Sequence, residues 1–149
     1  MSLYNPRASG LGNSAAYQVS GVPYATASIQ TPILSAAPYE HSFPNVTKFV
    51  TITNTNTGAN IPLRVGFSAL GVTGSVEAGS PGSPPPAGAS DHYFILDNGE
   101  SYTGEFRVAR LYFLSDQKAS APTLSIVAGL TSVPAADLSS NWSGSAGGG

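Results

Sequence analysis

The chain contains no cysteine, which excludes several kinds of chemistry. Without thiols there is no disulfide framework, no cysteine-ligated zinc site and no thiol nucleophile. The 149 residues are about one domain's length, and a hydrophobic share of 41% is enough to build a core. The stability of this domain must therefore come from packing alone.

Charged residues are also scarce. They make up 9% of the chain, against roughly a quarter in typical soluble domains. The six basic residues form no cluster that could neutralise phosphates, so direct nucleic-acid binding is disfavoured. A soluble monomer normally covers its surface with mixed charges, whereas the cores of interfaces are depleted in them. The composition fits a protein covered by neighbours as well as it fits a neutral secreted β-domain.

Long apolar runs are missing too. No stretch approaches the roughly 20 residues of a membrane helix, so no membrane span is predicted. The first residues include one basic side chain, no apolar run of signal-peptide length, and Ser2 where myristoylation requires glycine. We therefore expect a protein made and used in the cytosol.

The sequence does contain the alternation that is typical of β-strands. Apolar residues alternate with polar or small ones over residues 61–69 and 124–130, which predicts half-buried strands. Residues 46–53 are rich in β-branched side chains, which also favours a strand. Residues 24–29 and 93–96 are two further predicted strands.

Turn-forming residues indicate how these strands connect. The Asn- and Gly-rich residues 54–60 predict a hairpin, and Asp-Asn-Gly at residues 97–99 predicts a second strand pair. Further along, the apolar residues change parity near Ala109, which indicates either a bulge or two separate strands. The proline-rich residues 79–88 are predicted to form an exposed loop.

Helical periodicity is absent from every longer segment, and 17 Gly and 12 Pro would break most helices. The predicted fold class is all-β, with about seven or eight short antiparallel strands in a two-sheet sandwich of jelly-roll or immunoglobulin-like type. Composition divides the chain into an N-terminal arm at residues 1–22, the sandwich at 23–131 and a Gly/Ser-rich tail at 132–149.

Few residues are available for catalysis. His41 and His92 each follow a carboxylate, but adjacent strand residues point to opposite faces, so neither pair is expected to form a base or a metal site. Each histidine lies just before a predicted strand, where a polar surface residue is common. Glu100 and Glu105 diverge for the same reason of strand parity. We predict no enzymatic activity, no cofactor and no metal ion.

The remaining features are those of binding. Tyrosine anchors interfaces at modest entropic cost, although a tyrosine near a loop can equally pack on its own domain. Trp142, the only tryptophan, is expected to dock on this domain or on a neighbour. Residues 1–22 and 131–149 carry only Arg7 and Asp137 as charged residues, so these segments are expected to make the contacts. The predicted interface residues are Tyr4, Arg7, Tyr17 and Trp142.

Three segments together carry a resemblance to a known family: NPRASGLGNSAAYQVSGVPYATASI, YFILDNGESYTGEFRVARLYFLSD and TLSIVAGLTSV. They resemble the small single jelly-roll capsid proteins of large icosahedral DNA viruses, in particular the vertex (penton) proteins of algal viruses. The resemblance implies a jelly roll without catalytic residues, assembled in the host cytoplasm and located in the virion. It also implies a homopentamer around a fivefold vertex, whose N-terminal segment contacts neighbouring major and minor capsid proteins.

A fivefold ring requires heterologous contacts, in which one patch of a subunit meets a different patch of the next. Three arginines are then expected to pair with carboxylates, either between subunits or at the rim of the core. The arginines are Arg64, Arg107 and Arg110, and the carboxylates are Asp97, Glu100 and Glu105.

The alternative hypothesis assigns the sandwich to another class of protein. It is an immunoglobulin-like or carbohydrate-binding module for adhesion or receptor binding, with the loops around Tyr39, His92 and residues 79–88 as its binding face. A capsid protein forms pentamers, whereas a binding module can act as a monomer.

Overall fold

The computed structural model describes residues 21–74 and 91–138, which form eight β-strands and one short α-helix. The strands are β1 (Val22–Gln30), β2 (Tyr39–Ser42), β3 (Asn45–Asn54), β4 (Leu63–Gly66), β5 (Tyr93–Leu96), β6 (Ser101–Gly104), β7 (Arg110–Ser115) and β8 (Thr123–Pro134). Helix α1 (Ala69–Thr73) follows β4, and a 3₁₀ turn (Ala135–Asp137) follows β8. The predicted all-β fold class is confirmed.

The strands form two antiparallel sheets of four, stacked face to face. The first sheet has the order β1-β8-β3-β6 and the second has the order β2-β7-β4-β5. The first strand therefore pairs with the last, the second with the seventh, the third with the sixth and the fourth with the fifth. This arrangement, a long hairpin wrapped into two layers, is the eight-stranded jelly roll. The strand order is therefore that of a jelly roll and not that of an immunoglobulin-like sandwich, the two types that the sequence leaves open.

Two predicted connections are wrong. Residues 54–60 do not form a hairpin, because β3 lies in the first sheet and β4 in the second, so the segment crosses between layers. Residues 97–99 do not join a strand pair, because β5 and β6 also lie in different sheets. Turn composition determines the local backbone but not the layer that the next strand joins. The parity change near Ala109 reflects two separate strands, since this residue directly precedes β7.

The core lies between the sheets and is built by alternate residues of the long strands. In β8, Leu124 and Ile126 are fully buried while Val127 is 48% exposed, as the predicted alternation requires. In β3, Val50 and Ile52 are buried on the same side. The second sheet contributes Leu63, Val65, Leu96, Leu111 and Phe113 to the core.

The strand predicted over residues 61–69 is shorter and more enclosed than its alternation indicates. All four residues of β4 are buried, and α1 begins at Ala69 after Ser68, whose hydroxyl caps the first turn. Because α1 packs on the outer side of β4, the side chain of Arg64 is 2% exposed although the alternation predicts that it faces water. A small second cluster on this outer side comprises Leu34, Val72 and Leu114.

One end of the sandwich is held together by asparagine side chains from two connections between the sheets. The buried Asn54 amide donates to the carbonyl groups of Ile61 and Leu96, each at 3.0 Å, and its Oδ1 accepts from the Asn56 N–H at 3.0 Å. Asn98 Oδ1 accepts from the Ile61 N–H at 3.0 Å. These bonds provide partners for backbone groups outside the strand ladders, so residues typical of turns also make tertiary contacts here.

Replacing Asn54 with alanine is expected to lower the free energy of unfolding by about 3 kcal/mol, because two carbonyl groups lose their donor inside the protein. The matched change Asn60→Ala removes an exposed amide that donates to Asp97 and accepts from the Asn98 N–H, and it should cost less than about 1 kcal/mol because solvent can replace both bonds. Urea denaturation of both variants and the wild type measures the two differences. Equal losses would contradict the role of Asn54.

Candidate interaction surface

The outer face of the first sheet is nearly free of charge. Its four strands contain a single charged residue, Lys48, which lies near the start of β3. The register places Ala25, Val127, Thr51 and Thr103 side by side across all four strands. Val127 therefore lies in the interior of this sheet face and not at its edge, and within residues 21–74 and 91–138 it is 48% exposed.

Hydroxyl groups on this face bond to one another across the strands. The Thr51 and Thr103 hydroxyls are 2.8 Å apart, and the Thr53 and Ser101 hydroxyls are 2.7 Å apart. Because these groups already have partners within the sheet, covering them costs less free energy than covering unpaired polar groups. We call this surface the neutral face, and it comprises Ala25, Thr51, Thr53, Ser101, Thr103, Ser125 and Val127.

The middle of the outer face of the second sheet is covered by the chain itself, whereas Glu40 and Arg110 on β2 and β7 are exposed. Arg64 Nε donates to Asp116 Oδ1 at 2.6 Å, and Arg64 Nη1 donates to the Thr73 carbonyl at 2.8 Å. The guanidinium carbon lies 4.3 Å from the centre of the Tyr93 ring, within the range of a cation–π contact. Together with α1, these contacts close over the middle of this face and leave Ile95, at 44% exposure, near its edge.

The predicted pairing of Arg64 with one of the three named carboxylates is wrong, because its partner is Asp116. This residue directly follows β7, and the register of Leu63 with Ser115 brings it beside β4. The sequence of β4 alone could not predict this partner of Arg64, because Asp116 follows a different strand. Arg110 contacts Glu40 on the neighbouring strand β2, with Nε and Oε1 3.8 Å apart.

The two ion pairs should differ in their contribution to stability. Asp116→Ala leaves a buried guanidinium without its carboxylate and is expected to lower the free energy of unfolding by about 3 kcal/mol. Arg110→Ala removes an exposed and longer pair and should cost less than about 1 kcal/mol. Chemical denaturation of the two variants checks the difference. A loss for Asp116→Ala as small as that for Arg110→Ala would contradict a structural role for the buried pair.

His41 joins the two layers at the edge formed by β1 and β2. The Tyr24 hydroxyl lies 3.0 Å from His41 Nε2, and the Tyr39 hydroxyl lies 3.2 Å from Nδ1. The imidazole also packs edge-on against Phe43, with ring centres 4.9 Å apart. It is 7% exposed, so the expectation of a polar surface histidine just before a strand is wrong for His41, which lies within β2. A neutral imidazole suits this position, because one nitrogen donates and the other accepts.

Burial lowers the pKa of His41 from its ordinary value of 6.5. In the unfolded chain the same group takes up a proton near pH 6.5, so the unfolded state binds more protons just below that pH. The free energy of unfolding should therefore fall as the pH decreases from 6.5 toward the lowered pKa.

Urea denaturation above and below pH 6.5 measures this dependence in the wild type and in His41→Gln. We expect a smaller fall in the variant, since it lacks the titrating imidazole while every other titratable group is retained. An equal fall in both proteins would contradict the assignment to His41.

Several predicted site residues lie outside the described residues. They are Tyr4, Arg7, Tyr17, Trp142 and the loop at residues 79–88. Within residues 21–74 and 91–138, no group of three His, Asp or Glu side chains could hold a metal ion. In the same part of the chain, no helix has the length and apolar character needed to cross a membrane.

The neutral face is not among the sites predicted from the sequence. Its signal is present in the sequence, because Thr51, Thr53, Ser125 and Val127 are the outward members of two alternating strands. The register between the strands is needed to show that these residues are neighbours.

No protein-family model, curated protein or solved structure matches the chain. The strand order and the chemistry of the surface are therefore the two features from which a function can be inferred.

Proposed function

We propose that the chain is a non-enzymatic structural protein of an icosahedral virus capsid, in which five copies form the ring at a vertex. The observation that carries this proposal is the jelly-roll strand order, with β1-β8-β3-β6 packed on β2-β7-β4-β5. Viral capsid domains use this architecture, and so do lectins and cupins. Since one fold serves several functions, the surface chemistry has to distinguish among them.

The surface chemistry favours assembly over catalysis. Both ring nitrogens of His41 contact tyrosine hydroxyls inside the fold, which leaves neither of them open to a metal ion or a substrate. The neutral face offers no charged group and no convergent titratable side chains. A neighbouring subunit can cover such a face without removing charges from water, which is the main cost of burying a polar surface.

The proposal includes the partners of the ring. Neighbouring major and minor capsid proteins contact it, and the N-terminal arm at residues 1–22 takes part through Tyr4, Arg7 and Tyr17. The protein is located in the virion after assembly in the host cytoplasm. With only six basic residues in the chain, contacts to protein are favoured over contacts to the viral genome.

Native mass spectrometry and light scattering of the purified full chain test the proposal. We expect a mass of five chains that persists on dilution from millimolar to micromolar protein. Incorporation into particles together with the other capsid proteins would support it further. A stable monomer that binds a defined sugar would contradict it and favour the binding-module alternative.

A further inference from the structure

We infer that His41 is a pH-sensitive switch, and that its protonation releases the first half of β1, residues 22–26, from the second sheet. Tyr24 belongs to β1 in the first sheet and His41 to β2 in the second, so the bond between them links the sheets at one edge of the sandwich. The inference goes beyond the proposed function and does not depend on it.

The first argument is the set of partners around the imidazole. The hydroxyls of Tyr24 and Tyr39 lie at its two ring nitrogens, and the Phe43 ring packs against it edge-on. In a neutral imidazole one nitrogen donates and the other accepts, so one of these hydroxyls donates to the ring. Protonation turns that accepting nitrogen into a donor. The hydroxyl proton then has to turn away from the ring and find another acceptor.

The second argument is the lack of a compensating charge for a protonated ring in the described part of the chain. β1 and β8 contain no charged residue, and the residue opposite His41 on β7 is Leu111. The charged residues of β2 and β7 are Glu40 and Arg110, which pair with each other on the outer face of the second sheet. Lys48 of β3, beyond β8, carries the wrong sign.

The titratable groups that face the imidazole are therefore two tyrosine hydroxyls, and a hydroxyl supplies no negative charge. Burial lowers the pKa of His41, with no opposing contribution from a carboxylate among the described residues. A cation at this 7% exposed position is unfavourable, and opening of the edge lets water solvate it.

The third argument is the weak attachment of residues 22–26. β1 is an edge strand, and its register with β8 shifts between Thr26 and Ile29. Ser28, within this shift, has a φ of 58°, a strained conformation for a residue other than glycine. Before the shift, Val22 is 55% exposed, and the ring of Tyr24 packs on the core. Loss of the Tyr24 contact therefore frees this half of the strand more readily than the rest.

The chain beyond the shift and the opposite edge of the sandwich are held in other ways. The Thr31 hydroxyl, just after β1, donates to the Pro122 carbonyl at 2.9 Å. At the opposite edge, where β6 and β5 lie, the rings of Tyr102 and Phe94 have centres 4.7 Å apart. Neither contact contains a histidine. A decrease in pH should therefore open residues 22–26 selectively.

Hydrogen exchange of the full chain, measured about one pH unit above and one below 6.5, tests the inference. The equilibrium constant for opening is obtained after correction for the intrinsic exchange rate at each pH. For residues 22–26 we expect it to be up to about tenfold larger at the lower pH, because His41 takes up a proton only in the opened state. The opening constant of edge strand β6 should change much less.

Replacement of each of the two histidines makes the test specific. His41→Gln keeps a side chain that can donate and accept but does not titrate, so the pH dependence at residues 22–26 should disappear. The matched control His92→Gln removes the histidine that directly precedes β5, at the opposite edge of the second sheet. This control should retain the pH dependence.

An increase that is confined to residues 22–26, absent in His41→Gln and present in His92→Gln supports the inference. No increase in the wild type, or an equal increase in folded His41→Gln, overturns it. Opening constants of residues 22–26 that equal those of β3 at both pH values also overturn it, because the strand then opens only when the whole domain unfolds.

An NMR titration of the wild type needs no variant and provides a second test. The imidazole that contacts the Phe43 ring should have a pKa below 6.5. A pKa at or above this value overturns the inference, because the surrounding rings then stabilise the charged form. These results do not depend on the number of copies in the assembly. Failure of the switch therefore leaves the proposed function standing, and a monomeric chain leaves the switch standing.

Discussion

The antiparallel pairing of β3 with β8 is the interaction on which the rest of the structure depends. These two long strands join regions as distant in the chain as Asn45 and Pro134, and they occupy the centre of the first sheet. Their inward residues form much of the core, and their outward residues form the middle of the neutral face. A slip of one residue would turn Ile126 outward and Val127 inward, so the register determines core and surface together.

The fold could be predicted in part from the sequence. The prediction succeeds for a strand that is buried on one face and is less accurate for a strand that is buried on both. β3 and β8 are each buried mainly on one face, and local sequence locates them, β8 through its alternation and β3 through its β-branched residues. β4 is buried on both faces, because α1 and Asp116 cover its outer side, and these elements lie elsewhere in the chain. The connections at residues 54–60 and 97–99 have the composition of turns, yet they join different layers, which depends on tertiary structure.

The surface, like the fold, has some features that local sequence predicts and others that depend on tertiary structure. The composition shows that charge is scarce, and the sequence shows that residues 1–22 and 131–149 carry very little of it. That these segments make contacts with neighbours stays a prediction, because most of their residues lie outside the described part. The structure shows a further concentration of neutral residues on one sheet face. This depends on the register among β1, β8, β3 and β6, which no single strand contains. The burial of His41 likewise depends on Tyr24, which belongs to the other sheet.

This jelly roll therefore has two outer faces of different chemistry. The middle of one is covered by α1, the Arg64 ion pair and the Tyr93 ring, and the other carries the neutral face. Electron cryomicroscopy of the assembled protein tests this account most directly. Five copies of the chain in a ring around the fivefold vertex are the predicted result. A symmetry other than fivefold, or copies of the chain located away from the vertex, would contradict it.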